Sequence, residues 1–159
     1  EYANLSNVLR SCYSVLSLRD HSSHELRKKQ ITKGYDPDLV EEAIEKLIKD
    51  GYINDELFAQ GYFNSRIIKG HGPIRIQRDM TQKLIPDELI KNLVSARDEE
   101  YWIIKAIKLK LRKFGDEFFN DQKWKAKVSR YLAYRGYLYS HIKEALNPNS
   151  DYLDYSSDD

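Results

Sequence analysis

The sequence has little cysteine, proline or glycine: one, four and seven residues of 159. A lone cysteine, Cys12, cannot form a disulfide within the chain and has no spaced partners for a structural zinc site, which fits a reducing compartment. No apolar run approaches the roughly 18 residues that a membrane span needs, and the first residues lack the basic-then-apolar pattern of a signal peptide. We therefore expect a cytoplasmic, monomeric protein without a membrane segment.

Motifs of catalytic and nucleotide-binding sites are also missing. The sequence contains no G-x-x-x-x-G-K-[ST] phosphate loop, no G-x-G-x-x-G and no G-x-S-x-G elbow. His21 and His24 are three residues apart, but they straddle a predicted helix start and no third ligand is spaced to join them. Cys12 lies on an apolar helix stripe, which favours a small buried residue over a nucleophile. We predict no catalytic residues, no metal, no bound cofactor and no enzyme activity.

Helical periodicity is what the sequence has in abundance. Apolar residues recur at helical spacing nearly everywhere, and no alternating strand pattern is convincing. Ser22 with Glu25 predicts a capping box, and Asp36 before Pro37 predicts a capped helix start. Glycines stand where helices are predicted to end, at Gly34, Gly51, Gly70, Gly115 and Gly136. The predicted helices are residues 5–17, 24–33, 37–49, 55–69, 73–83, 86–97, 99–114, 122–134 and 138–146.

The helices repeat with a period near fifty residues. The segments "KGYDPDLVEEAI" (33–44), "KLIPDELIKNLV" (83–94) and "RGYLYSHIKEAL" (135–146) superimpose with offsets of 50 and 52. Upstream of each segment an apolar residue recurs in register, at Leu26, Ile76 and Val128. We predict an all-α fold of three tandem three-helix repeats that form an elongated, curved array, followed by a flexible acidic tail. The predicted boundaries are 5–50, 51–97, 98–146 and, for the tail, 147–159.

Two short stretches resemble sites. In "GYINDELFA" (51–59) three polar residues stand together, Asn54, Asp55 and Glu56, but the following residues turn apolar at once and exclude a calcium loop. We interpret Asp55 as a helix N-cap and Glu56 as a first-turn carboxylate. The stretch "KGHGP" (69–73) permits two interpretations, a phosphate cradle at the start of the next helix or a tight turn between helices.

Positive charge is concentrated in the middle and the C-terminal part of the chain. Four aspartates after Leu146 offset it, so residues 1–146 carry about +5 against +1 for the whole chain. Residues 101–135 contain ten Lys and Arg against three acidic residues. We predict that a basic face binds an acidic protein groove or a phosphate backbone, the alternative being an ordinary solvated surface. The candidate residues are Arg66, Lys69, Arg75, Arg78, Lys83, Lys105, Lys108, Lys113, Lys125, Lys127, Arg130 and Arg135.

Tyrosines are interleaved with these basic residues. They could stack on bases or anchor an interface, or lie in the core where they coincide with apolar repeat positions. The tyrosines concerned are Tyr131, Tyr134, Tyr137 and Tyr139.

Four short motifs follow one another between residues 10 and 146. The first is an Arg, Ser and Glu–Leu pattern at Arg19, Ser22, Glu25 and Leu26, and the second is a Gly–Tyr, Asp and Phe–Ala run at Gly51, Tyr52, Asp55, Phe58 and Ala59. The third is an Arg, Lys–Gly–x–Gly–Pro and Ile run at Arg66, Lys69, Gly70, Gly72, Pro73 and Ile76, and the fourth is Arg–Gly–Tyr at Arg135, Gly136 and Tyr137. With these motifs, residues 10–146 resemble the RecX family of bacterial regulators of the RecA recombinase. One departure is Leu84, where the family usually has glycine, which puts the geometry of that turn in question.

The resemblance implies a fold and a partner. Such proteins are all-helical, with three three-helix repeats, and bind the RecA–DNA filament in its groove or block its growth. They lower ATP hydrolysis and strand exchange without being catalysts. A protein that grips DNA directly with the same basic face is the alternative that the residues themselves allow.

Overall fold

The computed structural model describes residues 4–149 and residue 152. Over this part of the chain it contains nine α-helices and no strand, as the periodicity predicts, and every helix end lies within two residues of its predicted position. The helices are α1 (Leu5–Leu16), α2 (Ser23–Thr32), α3 (Pro37–Lys49), α4 (Asp55–Ile68), α5 (Pro73–Gln82), α6 (Asp87–Ser95), α7 (Glu99–Phe114), α8 (Gln122–Tyr134) and α9 (Tyr139–Leu146). The predicted tail lies outside the described residues, except for 147–149 and 152. No helix in the described ranges is long and apolar enough to cross a bilayer.

Helix starts follow the local capping chemistry, with one correction. The Ser22 hydroxyl accepts from the Glu25 amide and the Glu25 carboxylate accepts from the Ser22 amide, so the predicted capping box is confirmed. Asp36 caps α3 as predicted. The N-cap prediction for Asp55 is wrong, because the side chain of Asn54 accepts from the Leu57 amide at 3.1 Å. Asp55 is instead the first residue of α4.

The carboxylate of Asp55 binds the start of a different helix. It accepts from the backbone amide of Ser23 at 2.7 Å and from the Ser23 hydroxyl at 2.6 Å. Ser23 is the first residue of α2, so a carboxylate 32 positions away satisfies one of its free amides. This contact ties the start of α4 to α2.

The turns after the helices take the left-handed conformation. All five glycines predicted to end helices have φ between 81° and 99°. Leu84, which ends α5, has φ 57° and is the one non-glycine residue with positive φ in the described part of the chain. Leu84 therefore takes the same left-handed turn as the glycines despite the substitution, at a steric cost that glycine would not incur.

Contacts between Cα atoms divide the chain into two compact units. The first unit contains the described residues up to Gly61 together with Lys83–Ile85. Its helices α1, α2 and α3 pack on one another. The apolar core that they share consists of Val8, Cys12, Leu26, Val40, Ala43, Ile44, Leu47 and Ile53. A bidentate ion pair joins α2 to α3 at the surface: Nε and Nη2 of Arg27 donate to the two carboxylate oxygens of Glu41 at 2.8 and 2.9 Å.

The second unit contains Tyr62–Gln82 and the described residues from Pro86 onward. Within it α7 packs chiefly on α9, and α5 packs on α6. Phe63 is fully buried, with its ring 6.2 Å from that of Trp102 in an edge-to-face arrangement. The two units do not coincide with three repeats, and the predicted repeat boundaries stay a prediction.

Equivalent positions of the repeat are buried alike. Leu26, Ile76 and Val128, on α2, α5 and α8, are each fully buried. Val40, Ile90 and Ile142, on α3, α6 and α9, are 0–4% exposed. The superposition of the three sequence segments therefore identifies core positions.

Candidate binding surface

The "KGHGP" stretch is a tight turn whose backbone amides are already bonded. The Gly70 amide donates to Ile67 and the His71 amide to Arg66, at 2.9 and 3.0 Å. The remaining amides donate to the turn after α8, from Gly72 to the Arg135 carbonyl at 2.7 Å and from Ile74 to the Gly136 carbonyl at 2.9 Å. A backbone phosphate cradle in this stretch is therefore excluded, and the turn interpretation is confirmed.

Two glycines allow these turns to touch. A Cβ on Gly72 would stand 2.6 Å from backbone atoms of Gly136 and Tyr137, and a Cβ on Gly136 would stand 2.3 Å from the Cβ of Arg75. Real Cβ atoms do not approach other atoms so closely. The close approach places Arg135 beside the segment from Arg66 to Arg75, and its Nη1 donates to the Lys69 carbonyl at 3.3 Å.

Three half-buried arginines are thereby brought to this junction. We call Arg66, Arg75 and Arg135 the arginine cluster. Each has a buried Nε with no hydrogen-bond partner, and none of the three forms an ion pair with a carboxylate of the described residues. Each guanidinium lies over a tyrosine ring, with 4.7 Å from Arg66 to the Tyr62 centroid and 5.4 Å from Arg75 to that of Tyr134.

His71 lies among these arginines. It is 5% exposed, and its Nδ1 is buried without a hydrogen-bond partner in the part of the chain that the structure describes. Burial lowers the pKa of His71, and the charges of Arg75, Arg66 and Arg135 lower it further against the opposing charge of Asp79, so that together these effects bring it to about 4. His71 is therefore neutral at pH 7 and can donate one N–H.

A basic and aromatic surface continues from the cluster along α8. The ring of Tyr131 carries two cations, Arg135 at 5.4 Å and Lys113 at 5.7 Å. Phe114 meets Tyr131 edge to face at 5.4 Å, and Lys127 lies 6.0 Å from the Phe114 centroid. We call these five residues the basic–aromatic surface. Two candidate residues, Lys127 and Lys113, lie 8 and 22 positions before Arg135 in the sequence and are linked to it through these shared rings.

The other candidate residues are placed elsewhere. Arg78 is exposed and lies 3.8 Å from Asp79, and Lys83 belongs to the first compact unit. Lys125 lies over the ring of Phe118 at 5.8 Å. Described contacts link none of the remaining candidates to the arginine cluster, namely Lys105, Lys108 and Arg130. Burial lowers the pKa of Lys105, and the charges of Lys108 and Arg112 add to that effect.

The tyrosines divide between core and surface. Tyr137 is buried, and burial raises its pKa well above the ordinary value. Tyr134 and Tyr139 are 74% and 79% exposed. Tyr137 therefore takes the core alternative, whereas base stacking or an interface role stays a prediction for the exposed Tyr134 and Tyr139.

Buried polar groups show which residues the sequence reasoning missed. His141 is fully buried, accepts from the Leu138 amide at Nδ1 and donates from Nε2 to Glu99 at 2.7 Å. Lys110 is buried and donates to the Ala145 carbonyl near the end of α9. The place of His71 between two glycines in "KGHGP" is the sequence signal that a turn encloses it.

Neither a metal site nor a reactive thiol is formed in the described residues. They contain no group of three His, Cys, Asp or Glu side chains that could hold a metal ion. Cys12 lies in the apolar core of the first unit, where burial raises the pKa of its thiol. The thiolate that a nucleophile requires is therefore disfavoured.

Models of one family match three successive segments of the chain. The first three-helix domain of RecX matches residues 9–47, the second matches residues 54–93 and the third matches residues 99–146. The chain belongs to the RecX family. An all-α fold of three tandem three-helix domains is thereby confirmed. Relatives named regulatory protein RecX support a regulatory role for the chain.

Individual RecX proteins match over most of their length. The regulatory protein RecX of Vibrio vulnificus (strain CMCP6) is 33% identical over 133 residues, which cover 84% of this chain and 86% of that protein. The regulatory protein RecX of Serratia proteamaculans (strain 568) is 32% identical over 161 residues, covering 87% and 95%. Among solved structures, RecX from Lactobacillus salivarius has a TM-score of 0.76 at 21% identity and covers 89% of this chain and 94% of that one. At that identity the structure supports the fold alone.

Proposed function

We propose that this RecX-family protein binds the RecA recombinase filament and restrains it, by lowering its ATPase activity, its strand exchange or its extension. Membership of a family of regulatory proteins carries the proposal. Through RecA the protein would modulate recombination, DNA repair and the SOS response. It would act in the cytoplasm, as a monomer and without catalysing a reaction.

The chemistry of the second unit supports binding rather than catalysis. Its cations lie on aromatic rings, where they are held in place while their charge stays available to a partner. Helix α8 contributes Lys123, Lys125, Lys127 and Arg130 and no acidic residue. Such a surface suits an acidic groove or a phosphate backbone, and both are expected on a protein filament that contains DNA.

The test is a RecA ATPase and strand-exchange assay with this protein present at substoichiometric amounts. We expect inhibition, and co-sedimentation with RecA filaments. A double charge reversal on the basic–aromatic surface, Lys113→Glu with Lys127→Glu, is expected to weaken inhibition about tenfold or more.

The matched control is Lys91→Glu with Lys143→Glu, which reverses two exposed charges of the same unit outside the candidate set. Equal loss in both double variants would contradict the assignment of the surface. An unchanged ATPase rate together with no co-sedimentation would contradict the proposed function itself.

Direct binding of nucleic acid is a second candidate function. The observation that favours it is the pairing of Arg75 with Tyr134, which is 74% exposed and presents a ring on which a base can stack. Binding of naked DNA measured over a range of salt concentrations tests it, and a steep fall in affinity with salt is expected. Affinity that is independent of salt would refute it.

A further inference from the structure

The arginine cluster contains buried donors for which the described residues supply no acceptor. A buried N–H without a partner costs free energy, and a guanidinium cannot avoid that cost by losing its proton. Asp79, the one described carboxylate whose charge acts on His71, lies beside Arg78. Positive charge at this junction therefore exceeds what the surrounding residues neutralise, and the junction suits an anion.

The surroundings hold the cluster in place. The turns meet through the amides of Gly72 and Ile74, and a side chain at Gly136 would collide with Arg75. Tyrosine rings support the guanidinium groups of Arg66, Arg75 and Arg135 at 4.7 to 5.4 Å. Little side-chain freedom is left to lose on binding, which favours a ligand that contacts several donors at once.

His71 adds a neutral donor to this charged group. Its imidazole is 5% exposed, with Nδ1 buried and without a partner in the described ranges. A neutral imidazole has one N–H and can bond an anion without adding charge repulsion to the arginines. An enclosed, unsatisfied imidazole among three arginines is more than an ordinary solvated basic face.

We propose that the arginine cluster and His71 form a phosphate-binding site that holds a backbone phosphate of a nucleic acid strand. A phosphodiester offers several acceptor oxygens around one centre and suits guanidinium forks from more than one direction. Exposed Tyr134 lies against Arg75 as a stacking platform for a base, and the basic–aromatic surface leads away from Arg135 along the path that further phosphates would take. These neighbours favour nucleic acid over an acidic protein segment.

The inference rests on the nucleic-acid part of the proposed function and is independent of RecA. Its probes are therefore chosen without RecA. Failure of the RecA assay would leave the phosphate site standing, and failure of the phosphate site would leave filament inhibition standing.

The first test follows the His71 imidazole by NMR in the unmodified full chain. Inorganic phosphate and a short thymidine oligonucleotide are each expected to shift its resonance and to raise its pKa from about 4, because a bound anion offsets the charges of Arg66, Arg75 and Arg135 and adds to the effect of Asp79. No response of His71 to either probe would overturn the proposal. A response to polyglutamate but not to the oligonucleotide would also overturn it, in favour of an acidic protein partner.

The second test measures oligonucleotide affinity by fluorescence anisotropy. Arg75→Gln is expected to lower affinity about tenfold and to reduce the salt slope by about one phosphate contact, since one phosphate-neutralising charge is lost. Arg75→Lys keeps the charge but loses the forked pair of guanidinium donors, so its oligonucleotide affinity is expected to lie between those of Arg75→Gln and the unmodified protein. The matched control is Arg112→Gln, an exposed arginine of the same unit whose charge is not among those that act on His71.

Thermal unfolding shows whether each variant is folded before its affinity is compared. Equal affinities for Arg75→Gln and Arg112→Gln would overturn the proposal. If Arg75→Gln does not fold, the NMR titration of the unmodified protein and the Arg75→Lys variant still decide the matter.

Discussion

Replacing Asp55 by alanine removes a contact between two helix starts rather than a helix cap. The Asp55 carboxylate accepts from the Ser23 amide and hydroxyl at 2.7 and 2.6 Å, while Asn54 caps α4 itself. Both partners lie in the first compact unit. The expected effect is therefore a loss of stability in that unit, with α4 still capped.

The magnitude separates this role from the alternatives. A hydrogen bond to a charged group contributes about 1.5–3 kcal/mol. Asp55 is half-buried and water can replace part of what is lost, so we expect Asp55→Ala to lower the free energy of unfolding by about 2–3 kcal/mol for the two bonds together. A simple N-cap would cost about 1 kcal/mol, and a first-turn carboxylate acting on the helix dipole alone about 0.3–1 kcal/mol.

Urea unfolding measures the loss in free energy of unfolding, and amide hydrogen exchange in α2 and α3 shows whether that loss falls in the unit that contains Ser23. Glu56→Ala is the matched control, because Glu56 is an exposed carboxylate in the same first turn. Ser23→Ala, combined with Asp55→Ala in a double-mutant cycle, isolates the hydroxyl bond. A loss for Asp55→Ala no greater than that for Glu56→Ala, or full additivity in the cycle, would refute the reasoning.

Three further predictions concern the turns and His71. Because the pKa of His71 is about 4 in the folded protein, below the ordinary 6.5, the folded protein binds fewer protons than the unfolded chain between these two pH values. The free energy of unfolding should therefore fall by up to about 3 kcal/mol as pH drops through this window, and His71→Gln should flatten this pH dependence. Leu84→Gly should stabilise the protein by about 0.5–1 kcal/mol, since relief of the left-handed strain exceeds the entropy that glycine loses, and a lower urea midpoint would contradict this. Gly72→Ala should lower the free energy of unfolding by more than about 3 kcal/mol because its Cβ would meet backbone atoms at 2.6 Å, whereas Gly61→Ala, at an open helical position, should raise it by about 0.4–1 kcal/mol. Equal thermal midpoints for the two variants would refute the close approach at Gly72.

Local features of the fold were predictable because their causes are local. Apolar spacing locates the helices, and the Ser22–Glu25 spacing alone locates the start of α2. The assignment of the α4 cap to Asp55 failed because Asn54 and Asp55 are both good N-cap residues and no nearby residue distinguishes them. The partner of Asp55 lies 32 positions away, where a local pattern contains no information.

The candidate surface was predictable in composition but not in arrangement. The basic residues were identified by counting charges, yet their grouping depends on the contact between the turns at Gly72 and Gly136, which no spacing rule provides. Lys83 and Arg135 looked equivalent in sequence, but they fall in different compact units. His71 could be found only once the turns and the arginines were placed together.

The three equivalent turns after α2, α5 and α8 show what the degenerate repeat has kept and why. Gly34, Leu84 and Gly136 all have positive φ, so the left-handed turn is common to the three repeats. A Cβ at Gly34 would meet nothing within 4 Å, and the exposed Leu84 shows that such a turn tolerates a side chain when space is open. At Gly136 a side chain would strike Arg75, so there glycine is required by close approach as well as by conformation. The turn after α8 therefore differs from the other two in making a close contact with another segment, and the contact that joins Gly136 to the backbone at Arg75 also brings the unpaired arginines together.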